Sequence, residues 1–156
     1  MERLSELIAR VAQPGRVDWV GLRPARRLDM VSVDQVDAGP LGLAGDHGKP
    51  GKRAVSLVQA EHLAVIGAYL GRGPVAASDL RRNVVVSGIN LISLRGRRVW
   101  VGDAILKITG PCAPCSRMEE AFGHGGYAAV RGHGGVTADV VEPGTIRLGD
   151  SVRPLD

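Results

Sequence analysis

Beyond Pro14 and Gly15 the apolar residues of this chain come in short runs separated by glycine, proline and polar turn residues. The runs are Val17 to Leu22, Met30 to Val36, Ala54 to Val58, Val84 to Val86, Val99 to Val101, Ile105 to Ile108, Val136 to Val141 and Thr145 to Leu148. Short runs rich in β-branched residues and bounded by turn formers read as strands. The 22 glycines and 9 prolines supply the turns that so many strands require. Helical spacing is clear in only two places: Leu4, Leu7, Ile8 and Val11, stopped by Pro14-Gly15, and Gln59 to Leu70 with Leu63, Ile66 and Leu70. A short third helix is expected from Cys115 through Met118 to Phe122. Many short strands with few helices imply a closed or sandwiched β architecture.

The segment Arg98 to Ile105 is echoed by Thr145 to Val152: alternation, Gly-Asp, then alternation again. Gly-Asp tolerates the positive φ of tight strand connections, so two β-turn-β units of the kind found in small barrels are expected. Asp103 and Asp150 read as turn residues rather than catalysts.

With 156 residues the chain has the length of a single domain, 1–156, able to bury a core of its own. No run approaches the roughly 18 apolar residues needed to span a bilayer, and the first residues lack a signal peptide's apolar region. A cytoplasmic protein with no membrane partner is the expectation. The net charge of +4 favours an anionic partner. Aromatic residues, at 3%, are too few for a base-stacking platform, and the basic residues form no stripe or tail, which argues against nucleic acid. Scattered basic clusters converging on one small anion fit better.

Both cysteines lie in Thr109 to Met118, in the order Cys112-Ala113-Pro114-Cys115. A zinc ribbon would need a second such pair or closely spaced histidines, and His47, His62, His124 and His133 are not so spaced. A thioredoxin-like dithiol belongs in a βαβ context, whereas short strands and glycine turns flank this tract. Gly110, Pro111 and Pro114 are expected to exclude a continuing strand and leave a stiff loop presenting a thiol. Two small buried residues beside a turn is the bland alternative.

Two other clusters carry chemistry. Gly45 to Arg53 is a flexible basic loop able to wrap an anion with backbone N–H groups, aided by Lys52 and Arg53, but it lacks P-loop spacing. Asp79 to Asn83 places consecutive arginines and an asparagine before Val84, a set that can clamp a phosphate and read a heterocycle edge. His124 and His133, in glycine-rich loops, either line the mouth of a pocket as proton donors or face solvent. Asp139, inside an apolar run, is expected on the outer face.

These motifs resemble the MOSC domain, named for the C-terminal region of molybdenum cofactor sulfurases. The resemblance rests on Gly21 to Pro24, Gly42 to His47, Lys52 to Val55, Asp79 to Gly88, Gly110 to Met118 and Gly144 to Val152. It implies a mainly β fold with a few α-helices, a small closed or partly open β-barrel of the MOSC type, and a site for the molybdenum cofactor, an anionic pterin (molybdopterin). It further implies Cys115 as catalytic metal ligand, and Lys52, Arg53, Arg81 and Asn83 as cofactor-binding residues. Cys112 is left as a second sulfur-handling thiol or a packed small residue.

The resemblance leaves two activities open. One is part of a reductase of N-hydroxylated or N-oxide compounds, a molybdenum-dependent oxidoreductase fed by a separate flavin or iron-sulfur electron donor. The other is a sulfur (persulfide) or molybdenum-cofactor carrier without turnover of its own. A third reading, binding of some other anion, does not need Cys115. The chain shows neither the aminotransferase-like domain of complete sulfurases nor the additional domains of larger relatives, and a homodimer would supply missing walls to the cofactor site.

Overall fold

The computed structural model describes residues 2–155. In chain order the strands are β1 (Gly15–Leu22), β2 (Val31–Val33), β3 (Gln35–Gly39), β4 (Gly42–Leu43), β5 (Val55–Gln59) and β6 (Val84–Ser87). They continue with β7 (Arg98–Val101), β8 (Ala104–Pro111), β9 (Val136–Glu142), β10 (Gly144–Arg147) and β11 (Ser151–Pro154). The helices are α1 (Leu4–Ala9), α2 (Ala60–Tyr69), α3 (Ala77–Leu80), α4 (Arg117–Phe122) and α5 (Gly126–Val130), with a 3₁₀ turn at Leu91–Leu94. The mainly β reading of the sequence holds.

Seven strands form a closed barrel in the order β11, β7, β8, β9, β5, β6, β1, and β1 pairs back onto β11 through Gly15 opposite Val152. Closure removes the free edges that an open sheet would expose. Strand β2 extends from β1, and β10, β3 and β4 make a separate small sheet. Inside the barrel Val17, Val20, Leu57, Val84, Val101, Leu106 and Ile108 are fully buried, each burial stabilising the fold by about 1.5–3 kcal/mol.

Strands β5 and β6 are the barrel's parallel pair, and a parallel pair needs a crossover. Helices α2 and α3 provide it. With α4 and α5 they cover the outer face of β5 and β6, where Val58, Ile66, Leu80, Val85, Met118 and Val130 form a second core. This is why β5 is buried along its whole length, its polar Ser56 and Gln59 included.

Three expectations are corrected. The run Met30 to Val36 is not one strand: Val31–Val33 pairs with β1 and Gln35–Gly39 with β10, so the chain breaks at Asp34, whose carbonyl accepts the N–H of Leu148. The Gly-Asp echo is only local. Gly102 and Gly149 both take positive φ, 57° and 85°, but the first turn closes the β7–β8 hairpin whereas the second passes the chain from the small sheet into the barrel. Asp103 and Asp150 are turn residues, each bonded to Arg147.

The third correction concerns Gly110 and Pro111, which do not stop the strand. Strand β8 runs to Pro111, opposite Val136, after a register shift between Ile108 and Gly110. Proline is tolerated at a strand's last residue beside such an irregularity. Helix α1 forms where expected, yet Leu4, Leu7 and Ile8 stay exposed and only Val11 packs on the core. Helix α5 arises between two glycine-rich turns that hid it in the sequence. No helix among the described residues is long and apolar enough to cross a membrane.

Candidate functional site

The β5–β6 register sets Asn83 beside Ser56, and Asn83 is fully buried. Its Oδ1 accepts from the Ser56 N–H and hydroxyl, both at 3.1 Å, and its Nδ2 donates to the Gly21 carbonyl at 3.0 Å and to Asp46 Oδ1 at 3.1 Å. Every polar atom of this side chain is engaged within the protein. Asn83 therefore joins β1, β5, β6 and the loop after β4, and does not line the cleft.

Asp46, with a side chain only 1% exposed, relays this order to Arg23. Its two oxygens accept from Arg23 Nε at 3.1 Å and Nη2 at 2.9 Å, and also from the backbone N–H groups of Arg23 and Gly48. Burial raises the Asp46 pKa, but the hydrogen bonds and charge of Arg23 more than reverse this and hold the carboxyl below its usual range. The bidentate grip fixes Arg23 at the wall of a cleft.

Arg81 and Arg82 part company because Arg81 takes a left-handed backbone, φ 58°, at the end of α3. Arg81 donates to the carbonyls of Ala25 and Leu28 and ties down the loop after β1. Arg82 turns inward and is 8% exposed. Its Nε donates to the Gly134 carbonyl at 2.6 Å and its Nη1 to the Leu80 carbonyl at 2.8 Å. Its Nη2 is buried with no partner among the described residues. Burial lowers the Arg82 pKa, while the neighbouring Cys112 and Cys115 thiols act in the opposite direction.

Arg82 lines a cleft of about 550 Å³ together with Arg23, Lys52, Arg53, Cys112 and Cys115. Ser56 and Thr137 add hydroxyl groups, and His47 and Lys49 contribute from the basic loop. The loop is pinned where the Thr109 hydroxyl, bonded to that of Thr137 at 2.8 Å, meets the Lys52 carbonyl. Cys115 is exposed and Cys112 is buried. Among the described residues no acidic side chain lines this cleft, so an anion entering it meets no carboxylate.

Of the residues expected at the site, Lys52, Arg53 and Cys115 line the cleft and Arg81 and Asn83 do not. Arg23, Arg82 and His47 line it without having been singled out. Arg23 and Arg82 do stand inside the quoted motifs, but a pair of adjacent arginines carries no signal of which one faces inward. His124 is exposed and lines neither this cleft nor the cavity beside it. His133 packs against His62 and Tyr69, with ring centroids 5.0 and 5.6 Å away. The histidine of the cleft is His47.

A model of the MOSC domain matches residues 38–153. No curated protein matches the chain. Among solved structures, the YuaD protein from Bacillus subtilis shares the fold with a TM-score of 0.78 at 20% identity, over 90% of this chain and 94% of its own. YiiM from Geobacillus stearothermophilus gives 0.75 at 18% identity, over 92% of this chain and 76% of its own. YiiM from Escherichia coli gives 0.67 at 18%, over 90% and 70%. At such identities these likenesses speak to fold, and the sequence match over most of the chain adds lineage: this protein belongs to the MOSC domain family.

Proposed function

We propose that the chain binds a molybdopterin-type cofactor in the cationic cleft, with Cys115 as the metal ligand, and forms the molybdenum-dependent part of a reductase of N-hydroxylated or N-oxide compounds. The observation that carries this reading is Arg82, buried with an Nη2 that has no partner among the described residues, at the wall of the cleft that also holds Cys115. A buried donor left unpaired costs about 1–3 kcal/mol, and an anionic ligand would remove that cost.

The donor set fits the group. Arg23, Lys52, Arg53 and Arg82 would hold its phosphate, with Ser56 and Thr137 offering hydroxyls to its polar edges. A soft thiolate from Cys115 suits a metal already bound by sulfur. When bound, the cofactor supplies two-electron redox chemistry. Converting N–OH to N–H takes two electrons and two protons and releases water, so the reaction needs a separate flavin or iron-sulfur donor. His47, exposed at the cleft, would be the proton donor to the departing oxygen. In this assignment Asn83 is a positioning residue acting through Asp46 and Arg23, and Arg81 supports the loop.

The test is elemental analysis of protein made in a host that synthesises the cofactor, comparing wild type with Cys115→Ala. Near-stoichiometric molybdenum that is lost in the variant is expected. Molybdenum absent from both would overturn the reductase reading in favour of a sulfur or cofactor carrier, a reading supported by Cys112 and Cys115 both standing in the wall of one cleft.

A further inference from the structure

A second cavity, of about 320 Å³, shares the Cys112-Ala113 wall with the cationic cleft but has a different character. Leu91, Ile92, Pro111, Pro114, Tyr127 and Val136 make it apolar. Its volume lies at the lower end of the range for small-molecule sites. Ile92 and Tyr127, 52% and 43% exposed, bring large apolar surfaces to it that burial elsewhere in the fold does not explain. Gly132, Gly134 and Gly135 contribute a stretch of wall without side chains, leaving peptide surface against which a planar ring can lie. Two of these positions have to stay bare: a Cβ would come within 2.8 Å of the Cys112 carbonyl oxygen at Gly134 and within 2.0 Å of the Leu57 carbonyl oxygen at Gly135.

Among the described residues the one Arg or Lys side chain at this cavity is Arg131, beside neutral polar groups. Arg131 is exposed and takes part in no ion pair among the described residues. Asn90 brings amide N–H groups and His62 an imidazole. The Gln59 side-chain Oε1 already accepts the Leu91 N–H at 3.0 Å, and its Nε2 donates to Glu61 Oε1 at 2.7 Å. Among the described residues no aspartate or glutamate lines the cavity. An ammonium group would find no counter-charge here, whereas a carboxylate would find Arg131.

We infer that this cavity is a binding site for a small ring-bearing carboxylic acid, its ring held between the proline, tyrosine and glycine walls and its carboxylate paired with Arg131. The cationic cleft carries five Arg and Lys side chains where this cavity carries Arg131 alone among the described residues, so the two sites select different ligands. They meet at Cys112, whose thiol a bound acid would cover from the apolar side.

The test uses benzoate as probe and benzyl alcohol as its uncharged counterpart, titrated into wild type and Arg131→Gln by calorimetry. Benzoate is expected to bind wild type in saturable fashion, to lose about tenfold in affinity in the variant, and to bind equally in the presence of saturating phosphate. Tenfold is the effect of about one charge-assisted hydrogen bond. Benzyl alcohol binding should be the same in both proteins. In a Cys115→Ser background, benzoate should also slow alkylation of Cys112. Equal benzoate affinity in wild type and variant, displacement of benzoate by phosphate, or unaltered Cys112 alkylation would each overturn the inference. Arg131 is exposed and its side chain makes no hydrogen bond or ion pair among the described residues, so loss of folding does not confuse the comparison, and neither result depends on whether molybdenum is bound.

Discussion

Asn83 Nδ2 donates to Asp46 Oδ1 at 3.1 Å, joining the strand entrance at β6 to the basic loop that follows β4. Replacing Asn83 by alanine leaves the Ser56 N–H and the Gly21 carbonyl without their side-chain partner in a buried setting. Asn83→Ala is expected to cost about 3 kcal/mol, read as a lower midpoint in urea unfolding. A midpoint equal to wild type would show that the network is not needed for folding.

The Asp46 carboxyl has a folded-state pKa below its unfolded value because Arg23 outweighs the effect of burial. Its contribution to stability is complete above the unfolded value, near pH 4, and is lost as pH falls through the lower folded one. Unfolding free energy measured across the acid range should therefore drop more steeply in wild type than in Asp46→Asn. Parallel curves would remove Asp46 from the acid response.

His62 is held below the ordinary histidine value first by burial and then by the charge of His133, with Glu61 opposing. NMR titration should find its midpoint below that of a free histidine, and His133→Gln should move it upward. The sign for stability follows. The unfolded chain binds the proton more readily, so the neutral form favours folding above the unfolded value and that advantage is lost as pH falls. A His62 midpoint unmoved by His133→Gln would refute the coupling.

Gly135 has φ 91°, and a Cβ there would lie 2.0 Å from the Leu57 carbonyl oxygen, whereas Gly132, at φ 84°, has open space around it. Gly135→Ala should thus cost more than about 3 kcal/mol, combining backbone strain with a backbone clash, and Gly132→Ala about 1 kcal/mol from conformation alone. Thermal unfolding of the two variants gives the comparison, with equal losses as the contrary result.

Arg82→Gln and Arg81→Gln separate the adjacent arginines. Only Arg82 faces the cleft, so inorganic phosphate titrated by NMR should lose about tenfold in affinity in Arg82→Gln and little in Arg81→Gln. A larger loss in Arg81→Gln would return the anion-binding role to Arg81.

The strands, the two longer helical patterns and the family were legible in the sequence because period and turn chemistry are local: Val84 to Val86 alternates with nothing and is closed by Ser87-Gly88, so it reads as a buried strand wherever it sits. The same local rules failed at Met30 to Val36, where one apolar run serves two sheets, and at Pro111, which a register shift accommodates. They also located the basic loop and the cysteine tract without saying which side chains face the cleft. That choice depended on pairing between distant segments. The parallel register of β5 and β6 sets Asn83 against Ser56 and so consumes its amide, and the left-handed turn at Arg81 sends that side chain to the loop after β1 while aiming Arg82 at the thiols. Residue type and spacing determined the fold class and the motifs; the direction of each functional side chain was decided only when β1, β5, β6 and β9 closed around them, because hydrogen-bond partners far apart in the chain settle where a polar group can point.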